Sequence, residues 1–283
     1  MWSWNVENLP RFVGQSSLLT EARTSGMTPD VLCCQEIRVR PQDDDAIAAM
    51  TAAVPGYDCH FSLANDARNA RYRGGRAYGV ATWIRSELGA HQEPIEWDRE
   101  GRLVASIVPT LRLVVVSLYG VNGTSRPYFD PVDGRPDGTR HDWKQRFNRQ
   151  LAATAAAWRA RGLRLVLIGD WNISRERIDA VPRLRTWGPH AQARAQLNDR
   201  IMPALDLVDV FRARHPTTRA YTWFNRWATS LDAARVDYAL VSRELADAVT
   251  RAEIGPRPAR DAISDHAPVW ITLEARPLRR GRP

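Results

Sequence analysis

Leu165-Val166-Leu167-Ile168-Gly169-Asp170-Trp171-Asn172 decides the fold: four apolar residues in a row, a glycine, then a carboxylate and an amide two residues apart. An apolar run this short, bounded by a turn residue, reads as a buried strand. A carboxylate at the end of such a strand is costly to bury unless it is paired, hydrogen-bonded or bound to a metal. The arrangement recurs along the chain. Trp4-Asn5-Val6-Glu7 follows the first residues, Gln35-Glu36 closes Val31-Leu32-Cys33-Cys34, and Tyr119 to Asn122 closes Leu113 to Leu118. Arg235-Val236-Asp237-Tyr238 opens Ala239-Leu240-Val241, and Ser264-Asp265-His266 precedes Ala267 to Leu273. Strand ends that carry acids, amides, a tyrosine and a histidine imply one shared polar cleft around a hard divalent cation.

Outward from these motifs, Tyr57 to Phe61, Val80 to Ile84 and Val104 to Val108 read as further strands. Residues 15–27 and 42–53 read as helices. From Thr139 to Arg161, Trp143, Phe147, Leu151, Ala155 and Trp158 recur every three to four residues, a helical period that Gly162 ends. A further helix over about Ala191 to Leu205 precedes a strand-like Leu207 to Phe211. Strands alternate with helices but also follow one another, so the class is α/β (α+β) with mixed sheets. No Gly/Ser/Pro linker divides the 283 residues, and the motifs span them, so one domain over 1–275 and a basic tail over 276–283 are expected.

The formal charge is +8, and Lys144 is the only lysine among 40 basic residues. A GC-rich genome accounts for the arginine bias, but the sign of the charge favours polyanionic partners whatever its origin. Arg68 to Arg76 forms a basic, glycine-containing loop. Cys33, Cys34 and Cys59 have no metal-finger spacing and no even count, so a reduced, cytoplasmic setting is expected. Met1-Trp2-Ser3-Trp4 enters the first strand directly, leaving no leader, and that strand is short enough that a start upstream is expected. No run of 18 apolar residues exists to span a membrane.

Taken in order, WNVEN, QEI, YGVN, GDWN, RVDY and SDHAPVW resemble the endonuclease/exonuclease/phosphatase superfamily, and within it the exonuclease III-like abasic-site endonucleases. Leu207 to Arg212 and Tyr221 to Phe224 are similar to the segment of that branch leading into its last catalytic strands. The resemblance implies a four-layered sandwich of two packed mixed sheets flanked by helices. It implies a metal-dependent phosphodiester hydrolase acting on DNA as a monomer, with abasic-site endonuclease, 3′-to-5′ exonuclease or 3′-phosphatase activity.

Glu36 leads as metal ligand, since oxygen donors suit Mg²⁺, with Mn²⁺ as a substitute; a helix-capping glutamate is the plainer alternative. The resemblance adds Asn5, Glu7 and Asp265 on the metal side. Asp170 and Asn172 share a strand face, and by resemblance align the attacking water and donate to the phosphate. Asp237 is brought to His266, fixing its tautomer and favouring its protonated form, and Tyr119 turns its hydroxyl to the phosphate. Asn122, Arg71, Arg73 and Arg76 are implied as substrate contacts, with Trp223 and Phe224 lining a pocket for an extruded abasic sugar.

The chain departs from that branch in two places. Gly188-Pro189-His190-Ala191-Gln192-Ala193-Arg194 lacks the Phe-Thr-Pro-Glu-Glu-Arg-like segment, and Ala234 stands where a bulky residue is usual. Phosphodiester hydrolysis is therefore the firmer expectation and abasic specificity the weaker. A phosphatase for a small phosphoester is the alternative, and a binding-only protein has no use for Glu36, Asp170, Asn172, Asp237 and His266 together.

Overall fold

The apolar runs pair into two six-stranded mixed sheets. The computed structural model describes residues 1–13, 19, 20, 22, 28–66, 68, 69, 78–185, 188–225, 232–258, 262 and 264–274. One sheet runs β15 (Val249–Ile254), β16 (Val269–Leu273), β1 (Trp2–Asn5), β2 (Val31–Gln35), β4 (Val80–Arg85) and β3 (Tyr57–Ser62). The other runs β11 (Leu207–Asp209), β14 (Asp237–Ser242), β10 (Arg164–Asp170), β7 (Leu113–Tyr119), β6 (Leu103–Val108) and β5 (His91–Glu93). At the centre of each sheet lies a parallel pair, β1 with β2 and β10 with β7, flanked by antiparallel neighbours.

Side-chain alternation sorts the strands into layers. Cys33 and Leu113, Val115, Val166 and Ile168 fill the space between the sheets. Their neighbours Val114, Val116, Leu118, Leu165 and Leu167 face outward onto Trp143, Phe147, Leu151, Ala155 and Trp158 of the helix Arg140–Ala160. On the far side Trp2, Leu32, Cys34, Ala81 and Trp83 pack with Met50 of the helix Asp44–Ala52. Helix, sheet, sheet and helix make four layers. The adjacent cysteines thus face opposite cores, where burial raises both thiols above their ordinary range. Thr139 starts the long helix with a capping box: its hydroxyl accepts from the Asp142 N–H, and Asp142 accepts from the Thr139 N–H at 2.8 Å.

Some expectations are corrected. The helix expected from Ala191 starts at Gly188 and contains one wider turn, Leu197–Ile201, before Met202–Leu205. Leu207 to Phe211 is a strand only to Asp209, whose side chain accepts the Arg212 N–H at 3.0 Å and so opens the helix Val210–Arg214. The hairpin β8 (Pro127–Phe129) with β9 (Pro136–Thr139) and the short pair β12 (Trp223–Phe224) with β13 (Ala233–Ala234) are too short and mixed for an apolar period to announce. Most of the expected helix 15–27, the loop arginines Arg71, Arg73 and Arg76, and the tail 276–283 lie outside the described residues.

Candidate active site

The two central parallel pairs bring their C-terminal ends to one edge of the sandwich. In register, Asn5 lies beside Gln35, and Asp170 lies between Tyr119 and Asp237. Gly169 makes the approach possible: at φ 144° a Cβ there would meet the Leu118 carbonyl oxygen at 2.1 Å. Four non-glycine residues that line the cleft take left-handed backbone: Glu7 (φ 58°), Glu36 (φ 54°), Arg38 (φ 54°) and Asn172 (φ 52°). Each costs roughly 1–2 kcal/mol, and such conformations gather where the fold holds a site in place.

Fully buried Asn5 is the hub. Its Nδ2 donates to Glu36 Oε1 at 3.0 Å and to Asp170 Oδ2 at 3.1 Å, and lies 3.5 Å from His266 Nε2. Its Oδ1 accepts the Glu7 N–H at 3.1 Å. His266 Nδ1 pairs with Asp237 Oδ2 at 2.8 Å, while Nε2 faces Asp170 Oδ2 at 4.0 Å and Asp265 Oδ1 at 3.8 Å. Burial alone would depress the imidazolium; Asp237, joined by Asp170 and Asp265, outweighs it and raises its pKa well above the ordinary histidine range. Thr222 locks the pair: its hydroxyl accepts the N–H groups of Val236 (2.9 Å) and Asp237 (3.0 Å), and its carbonyl accepts that of Ala267. Ser264 accepts the His266 N–H at 3.0 Å and donates to the Asn5 carbonyl at 2.5 Å.

Burial, with Asp237 nearby, pushes the Asp170 carboxyl up to about 7. Asn172 holds both its oxygens, the backbone N–H on Oδ1 at 2.8 Å and the side-chain amide on Oδ2 at 3.3 Å, with the other amide hydrogen on the Gly120 carbonyl at 2.9 Å. The amide expected to donate to phosphate is thus engaged with its neighbours, and Asn172 acts first on Asp170.

A hard divalent cation fits here. Glu7, Glu36 and Asp265 line the cleft, and Arg38 Nη2 reaches Glu36 Oε2 at 2.8 Å and Glu7 Oε1 at 3.9 Å. Carboxylates collected in a half-dry cleft call for a cation, and oxygen donors suit a hard one. Asp170, Asp237 and His266 also come within 4.8 Å of one another. That group suits a proton-linked pair better, because Nδ1 of His266 is already taken by Asp237.

The cleft encloses about 660 Å³. Tyr119, Asn122, Asp170, Asn172, Trp223 and His266 line it, with Asn122 exposed at the mouth. Trp223 donates its indole N–H to Asp265 Oδ2 at 3.1 Å. Phe224 is not among the described lining residues: successive strand residues face opposite ways, and its ring lies under the Arg257 guanidinium at 5.0 Å. Arg68, Arg126 and Phe129 form one wall; Leu184, Ala234 and Val236 lie on the apolar remainder.

Sequence reasoning missed several residues. Arg38 was one, and His190, whose imidazole burial depresses to about 4, another. Arg102 is buried over the rings of Tyr78 (4.2 Å) and Tyr119 (4.7 Å), donates to the Tyr119 carbonyl, and shares Glu100 with Arg140. Glu100-Gly101-Arg102 between two strands reads as a polar turn, so nothing in the period flags it. Arg235 bridges Asp179 (2.8 Å) and Asp209 (2.7 Å) beneath the Asp237 strand; its motif was visible, its partners were not.

Comparison with known proteins agrees with this geometry. The Xenopus laevis protein "DNA-(apurinic or apyrimidinic site) endonuclease 2" is 25% identical over 342 residues, covering 98% of this chain and 60% of that protein, so the chain spans about three-fifths of its relative's length. Its catalytic domain superposes with a TM-score of 0.70 at 24% identity, covering 99% of this chain and 93% of that one. The 3′ phosphatase NExo from Neisseria, solved with a product DNA hairpin, gives 0.71 at 23% identity, with 96% and 98% covered. An AP endonuclease from Archaeoglobus fulgidus gives 0.70 at 19%, again with 96% and 98% covered. The pattern described as the Endonuclease/Exonuclease/phosphatase family matches residues 2–266, and the chain belongs to that family.

Proposed function

We propose that this chain is a Mg²⁺-dependent phosphodiesterase acting on DNA, a repair nuclease with abasic-site endonuclease, 3′-to-5′ exonuclease or 3′-phosphatase activity. One observation carries the reading: the buried Asp237–His266 pair turns its free nitrogen toward Asp170 and Asn5, in the cleft that Glu36 lines. A raised imidazolium is a fixed positive charge for a phosphate, and a carboxyl brought to about 7 is a base matched to neutral pH.

Asp170 aligns the attacking water and takes its proton; the new P–O bond forms in line as the bond to the leaving oxygen breaks, and that oxygen takes up a proton from solvent. His266, kept cationic and oriented by Asp237, neutralises the charge growing on the phosphoryl oxygens. Tyr119, steadied by Arg102, offers its hydroxyl to the same group, and Asn172 keeps Asp170 from turning. Glu36, with Asn5, Glu7 and Asp265, would hold the divalent ion, which supplies Lewis-acid stabilisation of the phosphate and for which Mn²⁺ substitutes.

The +8 charge and the Arg68 and Arg126 wall support DNA as substrate. The names of the relatives, an apurinic or apyrimidinic endonuclease and a 3′ phosphatase on a DNA hairpin, support repair. Trp223, Val236 and the small Ala234 leave apolar room beside His266 for an extruded sugar. The test is a substrate panel: a duplex with one abasic-site analogue, an intact duplex, a nicked duplex with a 3′-phosphate, and a small phosphomonoester. Cleavage of at least one DNA, with a salt-sensitive KM, is expected; turnover of the small ester alone would overturn the reading in favour of a small-molecule phosphatase.

A further inference from the structure

Lys144 is the only lysine in a chain with 39 arginines, and it is buried. It sits on the inner face of the helix Arg140–Ala160, behind the cleft rather than in its lining. Its Nζ donates to the Asn172 main-chain carbonyl at 2.7 Å. An arginine there would bury five fixed donors against one carbonyl, whereas an ammonium on a thin stem fits. Asn172 in turn holds both oxygens of Asp170, through its backbone N–H and its side-chain amide, and does so from a left-handed backbone. Asparagine takes that conformation more readily than other side chains, and the bond from Lys144 to its carbonyl adds a hold from outside the turn. Gly123 keeps this side open, since a Cβ at that position would lie 2.6 Å from His141 Nδ1 and 3.1 Å from Lys144 Cδ.

We infer that Lys144 is a positioning residue: it pins the Asn172 carbonyl from behind, and through Asn172 fixes the direction of the Asp170 carboxylate. Lys144 touches no substrate. Its effect belongs to the chemical step and passes through Asn172, an inference that rests on the hydrolytic reading of the cleft.

The test compares Lys144→Met, Asn172→Ala and the double variant. Lys144→Met should lower kcat about 100-fold, the scale of a misplaced reacting group, with KM for DNA within about 3-fold of the parent. The Asn172→Ala background removes the side-chain amide but keeps the carbonyl that Lys144 pins and the backbone N–H on Asp170, so there the same change should cost clearly less than in the parent. Independent losses that multiply, or a change in KM alone, would overturn the inference. Two readouts need no activity. In Lys144→Met the Asn172 amide should lose protection from hydrogen exchange while the strand Arg164–Asp170 keeps its own; unchanged protection would also overturn it. Should that variant not fold, lysine-selective ¹⁵N labelling of the wild-type chain gives a single side-chain signal. Burial lowers the Lys144 ammonium to about 7, so slow ammonium exchange is expected at pH 5.5, where it is protonated, and exchange there as fast as that of a solvent-exposed lysine refutes the contact. A wild-type chain that hydrolyses no phosphodiester fails the functional reading alone, since the exchange data still decide Lys144.

Discussion

Asp237→Asn is the substitution whose consequences the structure fixes most closely. The side chain is buried, its Oδ2 meets His266 Nδ1 at 2.8 Å, and its Oδ1 has no hydrogen-bond partner among the described residues. Asparagine keeps the shape and can still accept from Nδ1, but its amide then points where nothing accepts, a buried unsatisfied donor worth about 1–3 kcal/mol of stability. The larger effect is on charge. Burial lowers the His266 pKa and Asp237 is the chief influence raising it; with the carboxylate gone the pKa falls, held up only by Asp170 and Asp265. At pH 7.5 fewer molecules then carry the proton, so the rate falls, and it falls further as pH rises. Loss of orientation adds to it.

The sign follows for both rate and stability. A histidine raised in the folded state contributes stability that is fully present below its unfolded pKa and lost as pH rises through the folded one. The wild-type contribution should therefore persist through neutral pH and fade on the alkaline side; in Asp237→Asn that alkaline decline should vanish. The assay is kcat from pH 5.5 to 8.5 at saturating Mg²⁺, with thermal unfolding at each pH. Relative to wild type, the variant should recover activity toward pH 5.5. A loss that is the same at every pH would refute the reasoning, as would a variant of wild-type activity at pH 7.5.

Glu36→Gln removes one of two engaged acceptors and sets an amide against Asn5 or Arg38. Unfolding should register about 1–3 kcal/mol, while activity falls more than about 100-fold and partly returns with excess Mg²⁺ or Mn²⁺; undiminished activity excludes Glu36 as a ligand. Changing Arg71, Arg73 and Arg76 together to alanine should flatten the salt dependence of duplex binding by about 0.9 per lost phosphate contact, leaving hydrolysis of a minimal phosphodiester intact. An unchanged slope removes that loop from the interface. Trp223→Ala should impair cleavage at an abasic site more than binding to intact duplex; equal effects on both would leave no role for an abasic pocket.

Much of this was legible in the sequence because the site is built on strand ends. Gly169-Asp170-Trp171-Asn172 declares itself when an apolar run stops at a carboxylate, as Glu36 does after Val31 to Cys34, while Asp237 and His266 show as polar residues just before an apolar run. The two sheets follow from short, continuous apolar runs such as Leu113 to Leu118, which is buried at every position. What stayed hidden depends on partners far away in the chain. Asn5 is a hub only because Glu36, Asp170 and His266 converge on it. Trp223 and Phe224 look alike in sequence, and only the facing of a two-residue strand separates them. Arg102 and Lys144 read as surface cations until the fold buries them behind Tyr119 and Asn172. Val210 and Phe211 read as a continuation of the strand because the bond by which Asp209 caps the next helix leaves the apolar run unbroken in sequence.

The central claim is that this cleft hydrolyses a phosphodiester bond of DNA by attack of water at phosphorus. It is tested most directly by cleaving an abasic-site or 3′-blocked duplex in ¹⁸O-labelled water under single-turnover conditions and weighing the released phosphate ends. With Mg²⁺ present, one ¹⁸O should enter the phosphate of each cleaved bond, and Asp170→Asn or a chelator should abolish both cleavage and label. Cleavage that proceeds in the chelator, or that yields phosphate without ¹⁸O, would contradict the account.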